Sequence, residues 1–279
     1  MTDYYKTEKI NENITAIFSR SGEIMYMIEG TDRAVLVDTC LGIKGLRKLV
    51  EELTQKPVTV LLTHGHVDHA PGAPEFDDVY MNSKDNEVYK KHSPFAERKG
   101  YIAANIGGME EWMQNDDNFV PVTEPNFKEL SDGTIFDLGG ITVEVYELAG
   151  HTNGTMVLLI PEKEILITGD ACNTATFLFD DNSLTVEEYR ENLIRVKNLI
   201  AGRYDRCFLM HHDMEASKNL LEHVIAVCDD ILSGNTDDQE FPFRGTVNYV
   251  AKAADRQFKR ADGGEGNVIF NKKKIYKEG

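Results

Sequence analysis

The chain has 279 residues, with 47 acidic against 30 basic side chains and a formal charge of −17. That balance opposes a phosphate-backbone partner, because nucleic-acid association normally begins with a basic field. With 41% hydrophobic residues the chain can bury a sizeable core, yet no apolar run approaches the roughly 18 residues needed to span a membrane.

One large domain over residues 1–279 is expected. The first ten residues are polar and charged, so no secretory signal is expected. Cys40, Cys172, Cys207 and Cys228 form no Cys-x-x-Cys pair, which argues against a disulfide scaffold and for a reducing cytoplasm.

Residues 9–37 alternate short apolar runs with turns and predict a strand meander over 14–18, 24–28 and 34–37. Asp38 at the end of the third run either caps a turn or backs the loop that follows the next strand. From Ile43 the apolar positions 46, 49, 50 and 53 fall at helical spacing, ended before Pro57. Residues 58–62 then read as a buried strand. A short helix to about His92 follows, with Ser83 as its N-cap.

Residues 93–130 are less regular and hold Tyr101, Met109, the single Trp112, Met113 and Phe119. They predict a helical insertion, either a lid or a flap packed on the domain. Strands resume at 134–138 and 141–148 through Gly139-Gly140, then at 156–160 and 165–168. Thr185 and Glu188 have the form of a capping box and open a helix whose apolar face runs to Ile200. A strand over 207–210 and a long helix over 220–232, stopped by Gly234, complete the regular part. The tail is expected to hold an edge hairpin of 268–270 with 275–276, and Lys272-Lys273-Lys274 is expected to be a solvated turn.

Chemistry concentrates where strands end. Directly after the 58–62 strand, the segment His64-Gly65-His66-Val67-Asp68-His69 packs three imidazoles and a carboxylate into six positions. Neutral imidazole and carboxylate are ligands for divalent metals. Gly65 and Gly72 are expected to permit sharp bends there. Three later strand ends carry His151 between Gly150 and Thr152, Asp170 after Gly169, and the pair His211-His212. Thr152, Asn153 and Thr155 suit loop-shaping hydrogen bonds. His223, inside an apolar helical face, reads as an ordinary helix histidine.

The His-x-His-x-Asp-His segment, followed in order by Gly-His-Thr, Gly-Asp and a late histidine, resembles the motif series of the metallo-β-lactamase superfamily over roughly residues 10–225. The resemblance implies an α/β (α+β) chain folded as a four-layer αββα sandwich, mixed sheets with helices on the outer faces. It implies a binuclear metallohydrolase in which His64, His66 and His151 hold one divalent ion. Asp68, His69 and the late histidine hold a second, and Asp170 bridges. His212, followed by Asp213 as in lactonase-like members, is taken as the late ligand, with His211 the alternative. Zinc is expected, with iron or manganese as alternatives.

Two divalent ions, two carboxylates and a bridging hydroxide leave about +1 at such a site, which attracts an electron-rich oxygen. Coordination lowers the pKa of water from 15.7 to about 7. The hydroxide then attacks a small ester-like bond: thioester, lactone, β-lactam or related. Asp68 is the expected catalytic residue, orienting the nucleophile and relaying a proton. Alternatives are an iron-dependent sulfur dioxygenase-like oxidoreductase, a phosphodiesterase, and a non-catalytic zinc protein. The expected partner is a small-molecule substrate.

Overall fold

The computed structural model describes residues 4–277, which fall into two compact units. Unit 1 comprises residues up to Val145 plus Met210–His212; unit 2 comprises Tyr146–Leu209 and the chain from Asp213 on. Among the described residues no helix is long and apolar enough to cross a membrane.

Unit 1 is built on a seven-stranded sheet whose strands lie in chain order. Strands β1 (Tyr5–Lys9), β2 (Ile14–Ser19), β3 (Ile24–Glu29) and β4 (Ala34–Val37) pair antiparallel. Helix α1 (Leu46–Leu53) crosses over to β5 (Val58–Leu61), which is parallel to β4. Strands β6 (Val79–Met81) and β7 (Lys128–Glu129) extend the parallel half, with α2 (Asn86–His92) and α3 (Phe95–Ile106) between them. A hairpin of β8 (Ile135–Asp137) and β9 (Thr142–Glu147) follows.

All residues of β4 are buried, as are all but the last of β3, as expected of strands with neighbours on both edges and a covered sheet. Leu46 and Val50 of α1 close one side of the core. The segment after α2 adds Ile102, Met113 and Phe119 to that same core, with Trp112 stacked on Phe119 at 5.9 Å. Arg98 of α3, itself fully buried, donates to the carbonyls of Ser93 and Val120 at 2.6 and 2.7 Å and so ties the helix down at both sides. Burial lowers its pKa to about 10, which still leaves the guanidinium charged at neutral pH.

Unit 2 holds two sheets. In the first, β10 (Met156–Ile160), β11 (Ile165–Ile167), β13 (Arg206–Phe208) and β14 (Glu215–Ala216) are neighbours in the order β14-β13-β11-β10, and β11 and β13 run parallel. Helices α4 (Val186–Leu199) and α5 (Leu220–Ser233) pool Leu193, Val196, Val224 and Cys228 in one core with these strands. The Thr185–Glu188 capping box is present, and Gly234 ends α5 with φ 73.

The second sheet joins β12 (Thr176–Leu178), β17 (Val268–Phe270), β16 (Thr246–Val250) and β15 (Gln239–Phe243) in that order. Strand β17 is therefore interior and parallel to β12, not half of an edge hairpin with 275–276. The hairpin that does form joins β15 to β16 through Arg244 and Gly245, with φ 46 and 84, as a two-residue turn requires. Two more expectations are corrected. Asn82, not Ser83, supplies the capping oxygen before α2, accepting from Lys84 N within a 3₁₀ turn. Lys274 is no solvated turn residue: its ammonium is half-buried and donates to the carbonyls of Asp180 and Ser183 at 2.6 and 2.7 Å.

Candidate metal centre

Unit 1 brings five of the sequence-predicted donors and donor alternatives together at the carboxyl end of β5. His64 Nε2 lies 3.1 Å from His66 Nδ1. His69 Nε2 lies 3.1 Å from His211 Nε2, and Asp68 Oδ2 lies 3.7 Å from the former and 3.3 Å from the latter. The donor atoms of Asp68, His69 and His211 all fall within 4.8 Å of one another.

Which ring nitrogen faces inward follows from what holds the other. His69 Nδ1 is 2.6 Å from Asp38 Oδ2, and a carboxylate accepts, so the ring donates there and keeps a lone pair on Nε2. Asp38 also accepts from Thr63 N at 2.6 Å and Thr63 Oγ1 at 2.7 Å. Thr63 Oγ1 meets His64 Nδ1 at 3.1 Å, turning His64 Nε2 toward His66. Asp38 is thus the backing residue for the loop rather than only a turn cap. It sits at φ 61, with Cys40 at φ 56, in a left-handed turn whose Thr39 N and Oγ1 both donate to His69 O.

Of the two late histidines the structure places His211, not the expected His212, beside Asp68 and His69. His211 forms an isolated antiparallel bridge with Glu23, and Ile24 N donates to Met210 O at 2.8 Å, so residue 211 is pinned to the start of β3. His212 is exposed, takes φ 57, and its ring lies 6.3 Å from that of His211.

Gly65 is needed for a different reason from the one expected. It has no positive φ among the described glycines; instead a Cβ there would lie 2.8 Å from Asp85 O and 2.9 Å from Tyr89 N. Gly72 likewise has φ −82, and its Cβ would lie 2.3 Å from Thr39 O. Both glycines let backbone approach backbone.

Unit 2 pairs the remaining two predicted ligands. His151 Nε2 lies 3.6 Å from Asp170 Oδ2. His151 Nδ1 donates to Phe177 O at 2.7 Å, because a carbonyl only accepts, and so leaves Nε2 with its lone pair. Ser183 Oγ donates to His151 O at 2.8 Å, on the loop that Lys274 clasps. Thr152 and Thr155 share a 2.6 Å hydroxyl contact that closes the His151 turn, while Asn153 faces out. A Cβ at Gly150 would lie 2.1 Å from Tyr189 Cδ2, so only glycine fits between that turn and α4. Asn173 Nδ2 donates to Asp170 Oδ1 at 3.3 Å.

Three contributors escaped the sequence reading. Tyr101 of α3 donates its hydroxyl to Asp68 Oδ2 at 2.7 Å. His92, at the end of α2, lies ring to ring with His66 at 4.7 Å. Lys274 acts from the far end of the chain. Aromatic content flagged the 93–130 stretch, but nothing local identifies which ring reaches Asp68.

The donors suit a divalent cation. In both units imidazole nitrogens converge on one another or on a carboxylate, an arrangement that a bound cation stabilises. All are nitrogen or oxygen donors, the hard-to-borderline set that zinc and its first-row neighbours accept.

The sequence pattern of the Metallo-beta-lactamase superfamily matches residues 24–211. The chain is 23% identical over 171 residues to an acyl-coenzyme A thioesterase of Homo sapiens, covering 52% of this chain and 57% of that protein. It is 29% identical over 143 residues to a hydroxyacylglutathione hydrolase of Haemophilus influenzae, covering 49% and 60%. It thus spans little more than half the length of these curated relatives. A metallo-beta-lactamase from Pontibacter korlensis shares the fold with a TM-score of 0.57 at 18% identity, over 80% of this chain and 97% of that one. The mixed α/β architecture anticipated from the sequence is the one these folds have. On the match over residues 24–211, the chain belongs to the metallo-β-lactamase superfamily.

Proposed function

We propose that the protein is a metal-dependent hydrolase of small thioesters. The observation that carries this is the set of inward-facing donors in unit 1, where His69 Nε2 and His211 Nε2 lie 3.1 Å apart beside Asp68. On this reading His64, His66 and His151 would hold one divalent ion, and Asp68, His69, His211 and Asp170 would hold the other. Zinc is the proposed metal. Bound divalent ions supply Lewis acidity and an acidified water at neutral pH.

The chain's own residues do the rest. Asp38 and Phe177 O fix the tautomers of His69 and His151. Tyr101 holds one oxygen of Asp68 in place, which leaves the other to orient the attacking water and to move a proton as the thiolate departs. The thioester preference is supported by the thioesterase and hydroxyacylglutathione hydrolase activities in the names of the two relatives. The acidic chain, at −17, favours a small substrate over a polyanionic polymer.

The test combines metal analysis of the purified protein with a panel of thioester, lactone, β-lactam and phosphodiester substrates. The expected result is two divalent ions per chain and turnover of thioesters that chelation abolishes. In Asp68→Ala, turnover falls more than occupancy of the ion held by His64, His66 and His151. A single iron with oxygen uptake, or a metal-loaded protein inert to every thioester, overturns the proposal.

A further inference from the structure

Between β2 and β3, unit 1 buries a carboxylate that none of the assigned metal positions uses. Glu23 exposes 2% of its surface. Its Oε2 accepts from Ser19 Oγ, from Ser21 Oγ at 2.6 Å and from Cys40 Sγ at 3.3 Å, whereas Oε1 has no hydrogen-bond partner. Tyr4 Oη lies 2.6 Å from Ser21 Oγ and extends the network toward β1. Burying a carboxylate costs more than burying an apolar side chain of similar volume, so packing alone does not account for an acid here.

Glu23 meets the candidate centre by two routes. The first is its backbone. Ser19 N donates to Glu23 O at 2.8 Å and Glu23 N donates to Ser19 Oγ at 3.0 Å, which closes the turn. The residue so fixed forms the isolated bridge with His211, and Ile24 N beside it donates to Met210 O at 2.8 Å.

The second route is its side chain. Cys40, which donates to Glu23 Oε2, ends the left-handed turn that begins at Asp38. In that turn Thr39 N and Thr39 Oγ1 donate to His69 O at 2.7 and 3.0 Å, and Asp38 Oδ2 takes His69 Nδ1 at 2.6 Å. One residue therefore holds His211 through its main chain and the support of His69 through its carboxylate. Those are the two rings whose Nε2 atoms lie 3.1 Å apart.

We propose that Glu23 is a positioning residue for the second ion: by joining the Asp38–Cys40 turn to the start of β3 it sets the spacing of His69 and His211, and with it the affinity of their metal. The proposal rests on the metal assignment of the hydrolase reading and not on its substrate. All three donors converge on Oε2, so glutamine can present its carbonyl oxygen in that place, whereas leucine, of similar bulk, strands three buried donors. Loss of a residue that supports metal ligands typically weakens the ion about 10- to 100-fold. Glu23 acts through a further contact, so the lower end, about tenfold, is expected.

The test titrates cobalt(II) into metal-stripped protein, reading visible absorption, with affinities from competition against a chromophoric chelator. His211→Ala marks which absorption step belongs to the second ion. Glu23→Leu is expected to weaken that step about tenfold and to shift its band, while the ion of His64, His66 and His151 keeps its affinity. Glu23→Gln should restore both affinity and band. Cys40→Ala should weaken the same step about threefold, the size of one weak hydrogen bond. Added to Glu23→Leu it should cost nothing more, because both act through one contact. If Glu23→Leu fails to fold by circular dichroism, Cys40→Ala and Glu23→Gln carry the test. A folded Glu23→Leu protein with both ions at wild-type affinity, equal weakening of both ions, a glutamine variant as weak as the leucine one, or Cys40→Ala without effect overturns the proposal. A protein that binds both ions as described yet hydrolyses no thioester overturns the substrate assignment instead and leaves the role of Glu23 standing.

Discussion

Replacing Asp38 by asparagine separates metal tuning from folding. Asparagine tolerates the left-handed φ of 61 found there and preserves side-chain volume, so the backbone turn survives. The loss falls on electronics. Asp38 accepts three hydrogen bonds at 2.6, 2.7 and 2.6 Å, from Thr63 N, Thr63 Oγ1 and His69 Nδ1. With the amide oxygen kept on Thr63 N, the NH2 group replaces Oδ2 and confronts the Nδ1 proton of His69. The ring relieves the clash only by moving that proton to Nε2, the atom facing His211.

A metal-facing nitrogen that carries a proton is no ligand. Loss of such a backing carboxylate costs about 10- to 100-fold in metal affinity, in line with about 1.5–3 kcal/mol for a hydrogen bond to a charged group. The ion assigned to Asp68, His69 and His211 should therefore weaken by roughly 30-fold. The ion assigned to His64, His66 and His151 should keep its affinity. Titration with a chromophoric chelator, read as metal equivalents per chain, checks this, with circular dichroism of the metal-free variant as the folding control. Two ions retained at wild-type affinity would refute the tautomer argument; equal loss of both would show that the loop itself had collapsed.

Tyr101→Phe removes the hydroxyl on Asp68 Oδ2 without disturbing the packed ring. Turnover should fall about tenfold with metal content unchanged, the signature of a positioning residue; a matching drop in bound metal would assign the hydroxyl to ion binding. Gly150→Ala drives a methyl to 2.1 Å from the Tyr189 ring, so the melting temperature should drop by an amount equivalent to about 1–3 kcal/mol. An unchanged melting temperature would mean that α4 yields without cost. The four thiols are buried, and burial is the largest cause raising each of them, Cys207 to about 12. Because desolvation disfavours the thiolate, native protein at pH 8 should leave an aromatic disulfide reagent almost unreacted and titrate fully only when unfolded. A rapid native phase would contradict that burial.

What the sequence disclosed follows a physical divide. Contiguous features were legible: the 64–69 cluster, the Thr185 capping box and the apolar periodicity of α4 and α5 each place their information within a few residues. Features fixed by pairing across the chain were not. The choice between His211 and His212 depends on a bridge to Glu23, which lies 188 positions earlier in the chain. Tyr101 meets Asp68 only because Arg98 anchors α3. The β15–β16 hairpin did carry a local signal, Arg244-Gly245 between Phe-Pro-Phe and Val-Asn-Tyr-Val, but Pro242 argues against a strand, and it is tolerated here because β15 is an edge.

The short return of Met210–His212 to unit 1 also sets a timetable for biosynthesis. A ribosome emits residues 64–69 early, but their companion His211 emerges only after the intervening stretch of unit 2 has been made. A nascent chain halted before that point holds a half-finished chelator, with three imidazoles and an acid exposed to whatever cation passes. Faithful loading must therefore wait until residue 211 has been made, and fragments ending before it should bind metal loosely and without selectivity.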